Sequence, residues 1–389
     1  MNLVVISHKP CWMSTNSISG YVTDGGFPLQ MAILSELFDQ TTLLLPVQKS
    51  TPDAGMLPLT GSNLRVRPLG QLPNSQRERR LYTIPWLALN SFKILNEIMA
   101  ADAVHIPIPG DIGTIGMLLA QLLQKPLFVR HCGNWDRRLT LAERFWRWYM
   151  ERYAGGKRVF MATGESPVPP SQKNPNIQWI FSTSLSEKDI ETFGAILPKQ
   201  LSNPVRLITV GRQESGKNTG KIIRSIPLIL NKGIDIHLDV VGTGTQLVKL
   251  QELAIQLKIE NRVKFHGRVD HHSVFKLLQN ADIFCFPTDS EGFPKAVVEA
   301  LACGLPVIAT PVSVLPNLIG DSAGIILRDK SEDAIAKAVI QLCSDRANYS
   351  RLSLQAKLIA RNYSLERWSN VISMRLSAQW GDLKSYVTQ

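Results

Sequence analysis

Three groups of residues in this 389-residue chain have the types and spacing to handle an anionic ligand. The first is Glu291-Gly-Phe-Pro-Lys-Ala-Val-Val-Glu299, which runs on through Ala-Leu-Ala-Cys-Gly304. Pro294 suits the first turn of a helix, where its missing N–H would be unpaired anyway, and Gly304 suits the left-handed stop after the last turn. Leu305 to Thr310 then reads as a short buried strand. Open amides at Gly292, Phe293 and Lys295, together with the positive end of the helix dipole, make that corner an anion site. Glu291 and Glu299 place a carboxylate on each side of it, and an ionised carboxylate accepts from two hydroxyls at once. A diphosphate between ribose and hexose, as in a nucleotide sugar, fits such a corner.

The second group is Gly211-Arg-Gln-Glu-Ser-Gly-Lys217, between the strand-like Arg206 to Val210 and the helical Thr219 to Leu230. Gly211, Gly216 and Lys217 satisfy the G-x-x-x-x-G-K part of a phosphate-binding P-loop. Asn218 stands where such a loop needs a hydroxyl for magnesium. The third group lies in the first half of the chain. Gly25-Gly26 opens a helix after the strand Leu3 to Ser7, and His131-Cys-Gly-Asn-Trp-Asp136 follows the strand Leu127 to Arg130.

The elements that must position these groups alternate. Apolar runs at Thr41 to Pro46, Leu64 to Pro68, Ala103 to Ile108 and Val159 to Ala162 are separated by helical stretches, and the second half repeats the pattern. Such alternation predicts parallel sheets covered on both faces, with ligands beyond the carboxyl ends of the strands. His105 falls inside a strand and reads as structural. His131, at a strand end, reads as cleft-lining. Gly242-Thr-Gly244 ends the strand from His237, where small residues allow a close backbone approach. In the helix Thr140 to Tyr153, Leu141, Phe145, Trp148 and Tyr149 form a core-facing stripe, widened by Trp146 and Met150.

In order and location, Gly25-Gly26, His131, Arg212, Lys217, Gly242-Gly244, Glu291 and Glu299 resemble the signature set of the family-four retaining glycosyltransferases, the E-x7-E motif included. The resemblance implies an α/β chain of the GT-B fold. Two doubly wound, Rossmann-like parallel-sheet domains would face a central cleft, with residues 1–200 on the acceptor side and 201–362 binding the nucleotide sugar. Residues 363–389, opening on Tyr363-Ser-Leu-Glu-Arg-Trp368, would form a helix crossing back to the first domain. It implies transfer of a hexose from a nucleoside diphosphate sugar to an acceptor hydroxyl with retention of configuration. Arg212 and Lys217 would oppose the charge on the leaving diphosphate without a metal or other cofactor, in line with the absence of any Asp-x-Asp sequence. Glu291 would orient the sugar, Glu299 would hold the ribose, and Arg268 and Val269 would lie beside the base. Gly25 and Gly26 would approach the diphosphate. His131 would sit beside the reacting sugar, with Gly133, Asn134 and Trp135 on the acceptor side. The chain departs from the family at the linker, where Ile180-Phe-Ser-Thr-Ser-Leu185 stands in place of an Asn-Gly turn.

A net charge of +11 implies an acidic partner, and it is densest over residues 130–158, with eight basic residues against three acidic. Trp and Arg in that stretch, with Arg77, Arg79 and Arg80, also suit an anionic membrane surface. The acceptor would be a saccharide, a lipid-linked molecule or a small molecule. No aromatic-basic motif points to nucleic acid. Five scattered cysteines without a C-x-x-C pair indicate neither a disulfide framework nor a zinc site; Leu3-Val-Val-Ile-Ser7 is too short and too lightly flanked to read as a signal peptide, and no later apolar run reads as long enough to span a membrane. The chain is therefore expected in the cytoplasm, where it would act peripherally on the membrane face. Two other enzymes compete: a P-loop NTPase using Lys217 and Asp239, and a nucleotide-sugar epimerase or hydrolase on the same scaffold.

Overall fold

The computed structural model describes residues 1–53, 55–71, 76–136, 140–193 and 197–384, apart from the side chains of residues 76–84, 87 and 88. It divides into two compact units. One is Met1–Ser184 together with the chain from Leu365 onward, and the other is Leu185–Ser364. The division falls at 184/185, ahead of the expected boundary at 200. The helix Glu187–Phe193 belongs to the second unit, where Phe193 stacks on Phe275 with ring centroids 4.3 Å apart.

The first unit is built on a mixed ten-stranded sheet. Its parallel part runs Gln178–Ile180, Arg158–Thr163, Leu127–His131, Ala103–Ile108, Asn2–Ile6 and Gln40–Gln48, and Leu64–Leu69 also pairs with Gln40–Gln48. The short strands Cys11–Met13, Tyr21–Thr23 and Leu57–Pro58 extend it, with antiparallel pairing among them. The sequence gives little sign of these, because three residues are too few to show a period of two. The central strands read as nearly continuous apolar runs because helices cover both faces. On one face, Ile94, Met117 and Met150 from three successive helices pack on Val4, Ile106 and Val129. On the other, Met31 and Leu34 of the helix Phe27–Ser35, with Trp368, Ile372 and Leu376 of the final helix Leu365–Trp380, pack on Val5, Leu43 and Phe128.

The helix Leu141–Tyr153 is set by a capping box: Thr140 Oγ1 accepts from the Glu143 amide and Glu143 Oε2 accepts from the Thr140 amide. Its buried residues are Trp146, Tyr149 and Met150, while Leu141 and Trp148 are exposed, so the expected core stripe is rotated. Trp146 supplies the reason. Its Nε1 finds a partner on the neighbouring helix, Thr114 Oγ1 at 2.8 Å, and so can be buried.

The second unit carries six parallel strands in the order Val263–Gly267, Ile236–Val241, Val205–Val210, Ile283–Phe286, Val307–Ala309 and Gly324–Ile326. Its first three strands switch direction of winding next to Ile283–Phe286, so the exits of Val205–Val210 and Ile283–Phe286 lie side by side at the point where such sheets bind ligands. No helix among the described residues is long and apolar enough to cross a membrane.

Candidate functional site

At the exits of those two strands, two loops lock together through their backbones. The Asp289 amide donates to Gly216 O at 2.8 Å, and Asn218, in the left-handed region at φ +56°, donates from Nδ2 to Pro287 O at 2.8 Å and Asp289 Oδ1 at 2.9 Å. Asn therefore serves here as the clamp between loops, a role invisible when the position is judged only against a P-loop hydroxyl. The clamp brings together two residues that the sequence assigned separate tasks: Lys217 Nζ and Glu291 Oε1 form an ion pair. The lysine also lies 5.0 Å from the Phe286 ring centroid, and Thr288 Oγ1 is 3.4 Å from the same carboxylate oxygen. Arg212 is exposed and pairs with no carboxylate among the described residues.

The glycines of the neighbouring strand exit pack more tightly than a ligand alone would require. A Cβ on Gly242, at φ +116°, would stand 2.0 Å from Gly211 O, and one on Gly244 would stand 2.4 Å from Gln213 O. The backbone that these glycines let approach is the chain's own. Gln213, which the sequence reading passed over, ties the exits together: its buried Nε2 donates to Gly211 O at 2.9 Å and Val241 O at 3.2 Å, and its Oε1 accepts from Thr219 Oγ1 at 2.8 Å. The sequence carries no signal for this role, because the burial of Gln213 and its partners arise only when the two strand exits pack together.

The helix after Glu291 spans Lys295–Ala302. Pro294 is its N-cap rather than a first-turn residue, and the Lys295 amide donates to Phe293 O at 3.1 Å. The anion corner thus has one open amide fewer than expected, and Lys295 does not supply it. Phe293 is buried, its ring 5.7 Å from that of Tyr363. Gly292 is held through its carbonyl, which accepts from Ser313 Oγ at 2.9 Å. The helix ends on Gly304 at φ +73°, with the Leu305 amide returning to Ala300 O, as the sequence implied.

Glu299 lies inside this helix and is only 7% exposed. Its Oε1 is 3.4 Å from Nε2 of His271, the first residue of the helix His271–Asn280 that follows Arg268 and Val269. Asp270 starts that helix by accepting from the Ser273 amide at 2.9 Å. Burial pulls the His271 pKa down, but the hydrogen bond and charge of Glu299 outweigh it and raise it above the ordinary histidine value. The strand exit and the buried carboxylate therefore adjoin. Asp239, named for a P-loop reading, is engaged elsewhere, 2.6 Å from His266 Nε2.

In the first unit, His131 is the last residue of its strand rather than the first of the loop. It is 6% exposed, burial lowers its pKa to about 4, and its Nδ1 is buried without a partner. It is neutral at pH 7. Trp135 stands edge-on to it at 5.4 Å. That tryptophan is 3% exposed, donates from Nε1 to Pro170 O at 2.6 Å and lies under the Arg147 guanidinium at 4.4 Å. It is a wall of the core and not an open acceptor platform. Asn134 Oδ1 accepts from the Asp136 amide at 2.9 Å, a local turn, and a Cβ on Gly133 would stand 3.4 Å from the His131 ring. Gly25, at φ +71°, has open space where a Cβ would stand, and Gly26 is the N-cap of its helix. His105 is structural: its Nδ1 lies 3.1 Å from Phe128 O, its ring stacks on Phe128, and burial holds its pKa at about 3. Arg77, Arg79 and Arg80 have side chains outside the described residues.

Two units of this kind, one on a mixed sheet of ten strands and one on a parallel sheet of six, constitute the GT-B fold. HepE of Anabaena, crystallised with UDP and glucose, matches 97% of this chain and 99% of its own at 15% identity, with a TM-score of 0.69. Residues 196–359, most of the second unit, match the family described as glycosyl transferases group 1. An uncharacterized glycosyltransferase of Haemophilus influenzae is 27% identical over 60% of this chain and 70% of its own. WcaL of Escherichia coli, described as a putative colanic acid biosynthesis glycosyltransferase, is 28% identical over 38% of each chain. The chain thus spans well under half of that second relative.

Proposed function

We propose that this protein transfers a hexose from a nucleoside diphosphate sugar to an acceptor hydroxyl, with retention of anomeric configuration, in the synthesis of a polysaccharide or glycoconjugate. The observation that carries the reading is the juxtaposition in the second unit of exposed Arg212, the Lys217–Glu291 pair and buried Glu299 around the exits of adjacent parallel strands. In this reading Arg212 and Lys217 oppose the charge that gathers on the departing diphosphate, work that requires no metal from outside. Glu291 exchanges part of its hold on Lys217 for donor sugar hydroxyls, and Glu299, fixed by His271, accepts from the ribose diol. Arg268 and Val269 border the base. His131, neutral through burial, offers a ring nitrogen to a sugar hydroxyl without introducing charge.

The acceptor side is proposed to work against an anionic membrane surface. Leu141, Arg144, Trp148 and Arg152 are all exposed and lie at i, i+3, i+7 and i+11 of one helix, apolar and cationic groups on a single stripe. Exposed Leu118 and Leu122 stand on the neighbouring helix. If anionic vesicles fail to sediment the protein at low salt, this part of the reading falls.

The transferase reading is tested by thermal shift against UDP, GDP, ADP and their sugars. A ligand at 100 times its Kd stabilises by about 2.7 kcal/mol. One nucleotide series should shift the wild type and lose its effect in Glu299→Ala, and no shift with any series would sink the proposal. With the active donor, NMR of the fresh product reads the anomeric configuration.

A further inference from the structure

Parallel strands buried under helices are apolar on both faces. The first three strands of the second unit break that rule on one face. Arg206 pairs in register with His237, and Asp239 with Lys264, so neighbouring strands set ionisable side chains side by side. The opposite face obeys the rule, with Leu207, Leu238 and Val240 fully buried. The polar face lines a cavity of about 460 Å³, bordered by Leu277 and Asn280 at the far end of the helix whose first residue, His271, meets Glu299. It is therefore a different place from the Lys217, Glu291 and Glu299 cluster.

The side chains of this cavity are oriented by their neighbours. His266 Nε2 lies 2.6 Å from Asp239 Oδ1, and the acceptor-only carboxylate fixes the ring proton there. Arg262, which also pairs with Asp235, lies 3.2 Å from His237 Nε2 through Nη1. An arginine can only donate, so His237 Nε2 is the acceptor and its Nδ1–H is left as a donor. Arg206 and Lys264 are exposed cations that pair with no carboxylate among the described residues. No metal-binding group of His, Cys, Asp and Glu occurs among those residues, so the cluster does not read as a cation site.

We propose that this face is a binding site for a small phosphomonoester, held by Arg206 and Lys264 as counter-charges, with His237 donating to a phosphate oxygen. A planar guanidinium and an ammonium, carried on the two strands that flank Ile236–Val241, match a compact dianion with three acceptor oxygens that lies across the middle strand. The volume lies within the range of small-molecule sites and limits the occupant to a molecule of that size.

The test is calorimetric titration of the full chain with inorganic phosphate, against sodium chloride at matched ionic strength. Saturable binding is expected in the wild type and in Lys217→Ala. In the double variant Arg206→Gln, Lys264→Gln the apparent Kd should rise at least about tenfold, the scale of one lost charge-assisted hydrogen bond. Both substituted side chains are exposed, so the fold is retained, which circular dichroism verifies. Absence of saturable binding above the chloride control overturns the proposal, as does equal affinity in the double variant. Loss of binding in Lys217→Ala overturns it as well, because the phosphate would then occupy the loop cluster.

Discussion

His105 and His131 of the first unit are enclosed by apolar and aromatic neighbours and kept neutral, whereas His271 of the second unit is held by a buried carboxylate that favours its charged form. The same contrast runs through both regions. Around Lys217 the polar groups answer one another across loops: lysine to glutamate, asparagine to carbonyl, glutamine to carbonyl. Around His131 the polar groups are set into the core, and what surrounds them is packing. The second unit has therefore concentrated its charge where a ligand can exchange partners with it, while the first presents shape and a neutral imidazole.

Substituting Trp135 puts the largest strain on this comparison. Trp135→Ala removes a side chain that is 3% exposed, together with its bond to Pro170 and its stacking under Arg147, and should cost about 3–5 kcal/mol in chemical denaturation. If stability held while activity vanished, Trp135 would be a substrate platform and the contrast would be wrong. Lys217→Ala should behave in the opposite way. Its pair with Glu291 is partly exposed and screened, so stability should change by about 1 kcal/mol or less. Turnover should fall by roughly two to three powers of ten, the scale of one lost group stabilising a developing charge. Unchanged turnover would remove Lys217 from the proposed mechanism.

The pH dependence of stability sharpens the same point, because the two units should respond in opposite directions. A buried neutral histidine binds its proton only in the unfolded chain. His131, lowered from 6.5 to about 4, should leave stability intact above pH 6.5 and reduce it progressively between 6.5 and 4, by on the order of 3 kcal/mol, with His105 acting in the same sense down to about 3. His271 has a raised pKa, so its contribution is complete below pH 6.5 and is lost as pH climbs through the folded value. Denaturation curves from pH 4 to 8 for the wild type, His131→Gln and Glu299→Gln separate the two. The first variant should flatten the acid limb, and the second should remove the loss on the neutral side. Parallel behaviour of both variants would mean that the histidines share one environment.

The unequal legibility of the two regions has a physical cause. Gly304 and the strands around it could be read because each is fixed by local backbone geometry, a left-handed stop or an uninterrupted apolar run. The locations of Glu291 and Lys217 at strand exits, and of Glu299 in the helix that follows, came from the same logic. The ion pair between Lys217 and Glu291 did not, because it depends on how two loops 74 positions apart dock. Nor did the exposure of Leu141 and Trp148, since a helix with apolar residues on most of its circumference chooses its buried face by which indole finds a hydrogen-bond partner. Trp135 escaped for a related reason: a loop tryptophan looks exposed in sequence, and only Pro170 and Arg147, brought from elsewhere, bury it.

Arg130 gives the smallest effect and the finest form of the comparison, one cation of the first unit against Lys217 of the second. It precedes His131 in the same strand and is 3% exposed. Its Nε and Nη1 are buried without partners, and the guanidinium lies over the Trp368 ring at 5.0 Å. A desolvated guanidinium without a counter-ion is costly, and a ring face returns only about 2 kcal/mol. Met has a similar reach and packs favourably on an aromatic ring, so Arg130→Met removes the cost and keeps the contact. Stability of Arg130→Met should lie within about 1 kcal/mol of the wild type or above it, as found when buried charges are replaced by apolar side chains of similar volume. Lys217→Met, by contrast, should strand Glu291 and abolish most turnover. A loss well beyond 1 kcal/mol in Arg130→Met would show that the guanidinium is satisfied by buried water, and the first unit would then hold a polar centre of its own.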